Sequence, residues 1–145
     1  MAEPAAVPPA VTAQGQAVVA VVVSAGQVLV IRRGPGVVFA GYWAPLSGRI
    51  EPGESQAEAV VREVREEVGL VVRPVAKVWE CDTDDGAFRL HWWTAHLLGG
   101  ELSLDPVEVS EARWLSPGEY ERLAPTFAGD HEFFDRVLPA LTLPD

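Results

Sequence analysis

The sequence holds a single cysteine, Cys81, so no intrachain disulfide can form and a zinc site built from clustered cysteines is excluded. The fold must be held by packing alone. Basic residues are scarce too, 11 Lys and Arg against 21 Asp and Glu, for a formal net charge of -10. A chain this acidic does not hold duplex DNA or an RNA backbone by neutralising phosphates, so no nucleic-acid polymer is expected as a partner. No apolar run approaches the roughly 20 residues a membrane-spanning helix needs, and no membrane role is expected. Met1 to Pro9 carries three prolines and Glu3 but no Lys or Arg and no apolar core. It lacks the parts of a secretory signal, and a cytoplasmic location is the expectation.

What is present suits one globular domain: 145 residues, 48% hydrophobic, are enough to bury a core. Residues 1 to 15, rich in Pro and Ala, show no periodicity and read as a mobile tail, leaving residues 16 to 145 as the domain. Val18 to Val23 and Val28 to Ile31 are β-branched runs separated by Ser24, Ala25, Gly26 and Gln27, the pattern of a hairpin. Trp43 to Ile50 predicts a short strand leading into the turn Glu51-Pro52-Gly53-Glu54. Ser55 to Val68 is the clearest helix: Ser55 and Glu58 form a capping-box pair and Gly69 stops it. Ala57, Val60, Val61, Val64 and Val68 form its apolar stripe. Val71 to Cys81 and Phe88 to Leu98 predict a second hairpin across Thr83-Asp84-Asp85-Gly86. Arg113 to Leu115 predicts a short strand. Ser116 is expected to cap a helix to about Leu123, and Asp130 another to about Leu138.

On the long helix, at about 100° per residue, Glu63, Glu66 and Glu67 share one flank beside the Val64 stripe. Their like charges weaken an isolated helix, and Arg62 relieves only Glu66, four residues on. Taken alone, such a flank reads as solvated surface with Arg62 and Arg65 as partners. Mg²⁺ or Mn²⁺ would compensate it better, since hard cations take carboxylate oxygens and keep waters and substrate phosphates as further ligands. The acidic balance points the same way, because an acidic protein that handles phosphate needs bound cations to invert the local sign.

The spacing around the helix decides between these readings. Gly48 is followed after five residues by Glu54, and after seven more by Arg62-Glu63-Val64-Arg65-Glu66-Glu67-Val68-Gly69-Leu70. This segment resembles the complete Nudix box, and the chain is similar to MutT-like Nudix hydrolases over most of residues 16 to 125, including Trp43-Ala44-Pro45 and Glu111-Ala112-Arg113-Trp114. The resemblance implies an α/β fold, an α/β/α sandwich around a mixed sheet. It also implies hydrolysis of a nucleoside diphosphate linked to another group, by metal-activated water. Carried across, Glu63, Glu66 and Glu67 are the metal-site carboxylates, and Glu63 or Glu66 deprotonates the water. Glu54 and Arg62 brace the loop and helix, and Gly48 brings a backbone carbonyl beside the metal. Ser47 stands where many relatives have a second glycine.

Outside the box the alternatives stay open. Glu108 and Glu111 precede Trp114, where some relatives supply a further metal ligand or base; exposed loop acids are the plainer reading. Arg32 and Arg33 end a strand and are either phosphate contacts or an exposed strand end. Among Trp43, Trp79, Trp92, Trp93 and Trp114 most are expected in the core, with Trp92 and Trp93 on opposite sheet faces. The substrate expectation is a nucleoside triphosphate, damaged or not, cleaved to monophosphate and pyrophosphate, with ADP-ribose or a nucleotide sugar next. Glu80 to His91 holds no proline or tyrosine, and so lacks the markers of the ADP-ribose and dinucleoside-polyphosphate subgroups. A homodimer is left open. The rivals are a Nudix-fold module that binds a nucleotide or protein without cutting it, and a purely structural acidic domain.

Overall fold

The structure, a computed structural model, describes residues 14–141. Seven strands form one mixed sheet: β1 (Gly15–Ser24), β2 (Gln27–Arg33), β3 (Trp43–Ala44), β4 (Leu46–Arg49), β5 (Leu70–Asp82), β6 (Phe88–Gly100) and β7 (Val109–Leu115). Helix α1 (Gln56–Val68) covers one face, and a C-terminal helical segment opening with α2 (Ala128–Glu132) covers the other. This is the α/β/α sandwich. The sheet runs β3-β2-β1-β6-β5, with β4 also paired to β1 and β7 to β2. Among the described strands only β1 and β6 run parallel, from Gly15 opposite Phe88 to Val23 opposite His96.

β1 is apolar at nearly every position because both its faces are covered. Val18, Ala20 and Val22 point toward α1, and Val19, Val21 and Val23 toward the C-terminal segment. The first hairpin turns through Ala25 and Gly26 at φ 51° and 75°, the two left-handed residues that a two-residue hairpin turn needs. Only Val23–Val28 and Ser24–Gln27 then pair. β2 peels away to β3 and β7, while Ala17 to Ala20 pair with Arg49 to Leu46 of β4. This fork sets Gly48 opposite Val18, on the part of the sheet that α1 crosses.

α1 follows its sequence signals. The Glu58 N–H donates to Ser55 Oγ (3.1 Å), the Ser55 N–H donates to Glu58 Oε1 (2.8 Å), and Gly69 closes the helix at φ 76°. Val60, Val64 and Val68 are fully buried, each contributing about 1.5–3 kcal/mol of transfer free energy. The buried stripe also takes in Ala59, whereas Ala57 and Val61 are only half-buried and line a shallow groove with Pro74.

Several elements differ from the sequence reading. Trp43 to Ile50 forms two short strands rather than one, interrupted at Pro45, which has no N–H for a ladder. β7 starts at Val109 because β2 supplies partners beyond Arg113. Pro117–Arg122 is a 3-10 turn in which Ser116 donates from both N and Oγ to Glu119 Oε1 (2.7 Å each). Asp130 is not a cap: α2 begins at Ala128, and Asp130 is buried inside it beneath Tyr120. Of the expected tail over residues 1 to 15, only Gln14 and Gly15 are described, and Gly15 already opens β1. Among the described residues, no helix is long and apolar enough to cross a membrane.

Candidate metal centre

The loop before α1 is shaped by its own acids. The Glu54 N–H donates to Glu51 O and Glu54 Oε1 accepts from the Glu51 N–H, both at 3.0 Å, with Gly53 at φ 80° between them. Arg62 then ties this loop to the helix and to β4. Its Nε and Nη2 donate to the two oxygens of Glu54 (2.6 and 2.8 Å), and Nη2 also to Arg49 O (2.9 Å). Nη1 reaches Glu63 (2.7 Å) and Glu66 (3.1 Å). All five guanidinium donors are therefore used, which an ammonium with three could not match. Arg62 holds the Glu54 carboxyl down to about 2, and its own pKa is raised in return. Glu54 and Arg62 thus join the loop, the start of α1 and the end of β4.

Glu63 and Glu67 are buried, at 8% and 7% exposure, while the Glu66 side chain is 58% exposed. Burial, then the adjoining Glu63 carboxyl, pushes the Glu67 pKa far above the usual carboxylate range. Gly48 faces Glu63 so closely that a Cβ there would overlap its carboxylate. Glu108 joins from the connection between β6 and β7. Burial raises its pKa, and Asp105, Glu63 and Glu66 raise it further. Arg33 is the basic counterpart, close enough to Glu67, Asp130 and Glu108 to feel all three. Its Nε donates to Val38 O at 2.8 Å.

Two candidates fall elsewhere. Glu111 pairs with Arg113 (2.8 Å) out on β7. Arg32 projects from the other side of β2, with Nε donating to Gly41 O (3.3 Å) and its guanidinium 6.0 Å from the Trp43 ring. Strand alternation separates it from Arg33, so only Arg33 stands beside the acids.

A NUDIX domain profile matches residues 13–137, nearly the whole chain. The chain belongs to the Nudix family. Over 98 residues it is 36% identical to a Deinococcus radiodurans protein named NAD-capped RNA hydrolase NudC, a match covering 68% of this chain and 35% of that one. Over 76 residues it is 34% identical to a putative 8-oxo-dGTP diphosphatase of Bacillus subtilis, covering 52% of this chain and 51% of that one. The chain thus spans about a third to a half of the length of these curated relatives. A MutT NUDIX hydrolase from Burkholderia pseudomallei shares the fold, with TM-score 0.75 at 22% identity over 86% of this chain and 98% of that one.

Nudix hydrolases generally require a divalent metal, and the side chains gathered here are of the chemical kind such an ion takes. The donors are hard carboxylate oxygens, and Glu67 is buried against the Glu63 carboxyl, while Arg62 hydrogen-bonds Glu63 and not Glu67. Having no side chain, Gly48 lets the Glu63 carboxylate lie directly against the β4 backbone. Among the described residues no three acid side chains converge on one ion-sized point, since Arg62 draws Glu63 and Glu66 toward itself.

Three aromatic rings outside the tryptophans gather close to Arg33 in this Nudix chain. Phe39, Tyr42 and Phe127 form a cluster with centroids 4.8–5.3 Å apart, and Phe39 is 58% exposed. Phe39 and Tyr42 lie in the segment that leaves Arg33, whose N–H donates to Tyr42 O at 2.8 Å. The available signal was two aromatics in a glycine-rich stretch, Gly34 to Tyr42, directly after the strand.

Proposed function

We propose that this Nudix chain is a metal-dependent hydrolase that cleaves a diphosphate linkage in a nucleoside diphosphate joined to another group. The observation that carries this reading is the Glu63–Glu67 pair, buried beneath Gly48 with Glu66 and Glu108 beside it and Arg33 as the neighbouring cation. Glu63, Glu66 and Glu67 would hold the cation, with the Gly48 carbonyl on its β4 side. When bound, Mg²⁺ or Mn²⁺ supplies charge neutralisation and a lowered pKa for bound water. Arg33 orients a phosphate oxygen by charge and hydrogen bonding. Glu63 or Glu66 takes the proton of the attacking water.

A free nucleoside triphosphate, damaged or intact, is the first substrate class; ADP-ribose or a nucleotide sugar follows. The exposed Phe39 ring with Tyr42 and Phe127 supports a flat aromatic ligand, because a nucleobase offers a face to stack. The NudC relatives are named for NAD-capped RNA, but a net charge of -10 argues against gripping the body of an RNA. The test is a screen of nucleotides with Mg²⁺ and with Mn²⁺, identifying the released phosphates, repeated with Glu66→Gln and Glu63→Gln. Each variant should lose about 100-fold or more on the best substrate. Equal turnover by both variants and the parent protein overturns the reading.

A further inference from the structure

Glu108 is held between the acid-bearing end of α1 and the end of β2 because eight residues of connection, Glu101 to Glu108, are folded so as to deliver it. The folding starts at the end of α1, whose last carbonyls need donors. The Ser103 N–H donates to Val68 O (2.8 Å) and the Asp105 N–H to Glu67 O (2.9 Å), so the connection is anchored on the turn of helix that carries Glu67. It then reverses at Asp105-Pro106-Val107-Glu108. The Glu108 N–H (3.2 Å) and the Val109 N–H (2.8 Å) donate to Asp105 O, and the Val107 N–H donates to Asp105 Oδ1 (2.9 Å). Asp at the first position and Pro at the second are the residues such a turn favours. The Asp carboxylate holds a backbone N–H two residues on, and Pro presets φ. Beyond the turn, the Gly36 N–H donates to Val107 O (2.9 Å) and the Gly34 N–H to Glu108 O (2.7 Å). A Cβ on Gly34 would strike the Val107 and Glu108 backbone, so this seam is tight.

Resting on the reading of the metal centre above, we infer that Asp105 is a positioning residue. Its side-chain bond to the Val107 N–H sets the turn that presents Glu108 to Glu63 and Glu66. It touches neither metal nor substrate. Its role is to hold a hydrogen bond, so an asparagine, whose Oδ1 accepts the same bond, should replace it. If the role were charge, asparagine should fail as alanine does.

The experiment uses the full chain and Mn²⁺ alone, following free Mn²⁺ by its electron paramagnetic resonance signal. Hydrogen exchange of the Val107 and Glu108 amides is measured in the metal-free protein. Asp105→Ala should weaken Mn²⁺ binding about 10-fold, as loss of a residue behind a ligand does, and speed exchange at Val107. Asp105→Asn should match the parent protein in both, and Glu108→Gln should weaken Mn²⁺ with exchange unchanged. The inference is overturned if Asp105→Asn behaves as Asp105→Ala, or if Asp105→Ala changes neither readout. It also falls if Glu108→Gln binds Mn²⁺ as the parent does, since Glu108 is then no part of the centre. Normal Mn²⁺ behaviour without hydrolysis of any nucleotide would instead refute the proposed activity and leave the role of Asp105 standing.

Discussion

Gly48 and Arg62 make the sharpest demands on side-chain identity. A methyl at position 48 overlaps the Glu63 carboxylate. Gly48→Ala should therefore keep the fold but weaken Mn²⁺ binding about 10-fold or more, checked by metal titration alongside circular dichroism. Arg62→Lys retains charge but cannot serve Glu54 twice, Arg49 O, Glu63 and Glu66 at once. It should cost about 2 kcal/mol in urea unfolding, the range for a lost charge-assisted hydrogen bond. These two residues, with Glu54 and the three helix glutamates, could be singled out in the sequence because they lie within one 23-residue segment that resembles the Nudix box. Glu108 could not be separated from Glu111, nor Arg32 from Arg33. Which acid turns inward depends on the Asp105-Pro106 reversal and the β2–β7 register, and which arginine does depends on a strand face fixed by pairing elsewhere.

Caps and turns carry their own arithmetic. Ser55→Ala removes one bond of the α1 capping box and should cost about 1 kcal/mol, measured by thermal or urea unfolding. Ala25 occupies a left-handed position at φ 51° that alanine disfavours. Ala25→Asn should raise the unfolding midpoint, relieving about 1 kcal/mol of turn strain. Such elements were read correctly because a cap or two-residue turn is written in adjacent residues. The errors came where a distant partner decides the outcome. Asp130 carries the chemistry of an N-cap, yet Tyr120 and the packing of Phe133 and Phe134 draw it inside α2. The start of β7 is likewise set by β2 rather than by its own composition.

Charge and connectivity act on the molecule as one body. Tyr120 O–H is shared between Trp43 O (2.8 Å) and the Asp130 carboxylate (3.2 Å), a bond that favours the charged acid but is outweighed by its burial. Burial pushes its pKa up to about 7 from 3.8. A raised folded-state value means the native protein holds a proton that the unfolded chain has released. Stability from this group is complete below about pH 4 and is lost as pH rises toward 7. Urea unfolding across that window should show the decline, and Asp130→Asn should make it shallower, the raised Glu67 and Glu108 carboxyls supplying the remainder. The parallel ladder between β1 and β6 has a different consequence. When the ribosome has finished the acid-bearing helix, half of the surface it must rest on has yet to be made. Folding thus waits on a late strand sliding in beside the first, a long-range closure of the kind that slows a chain and leaves its valine-rich first strand bare in the meantime.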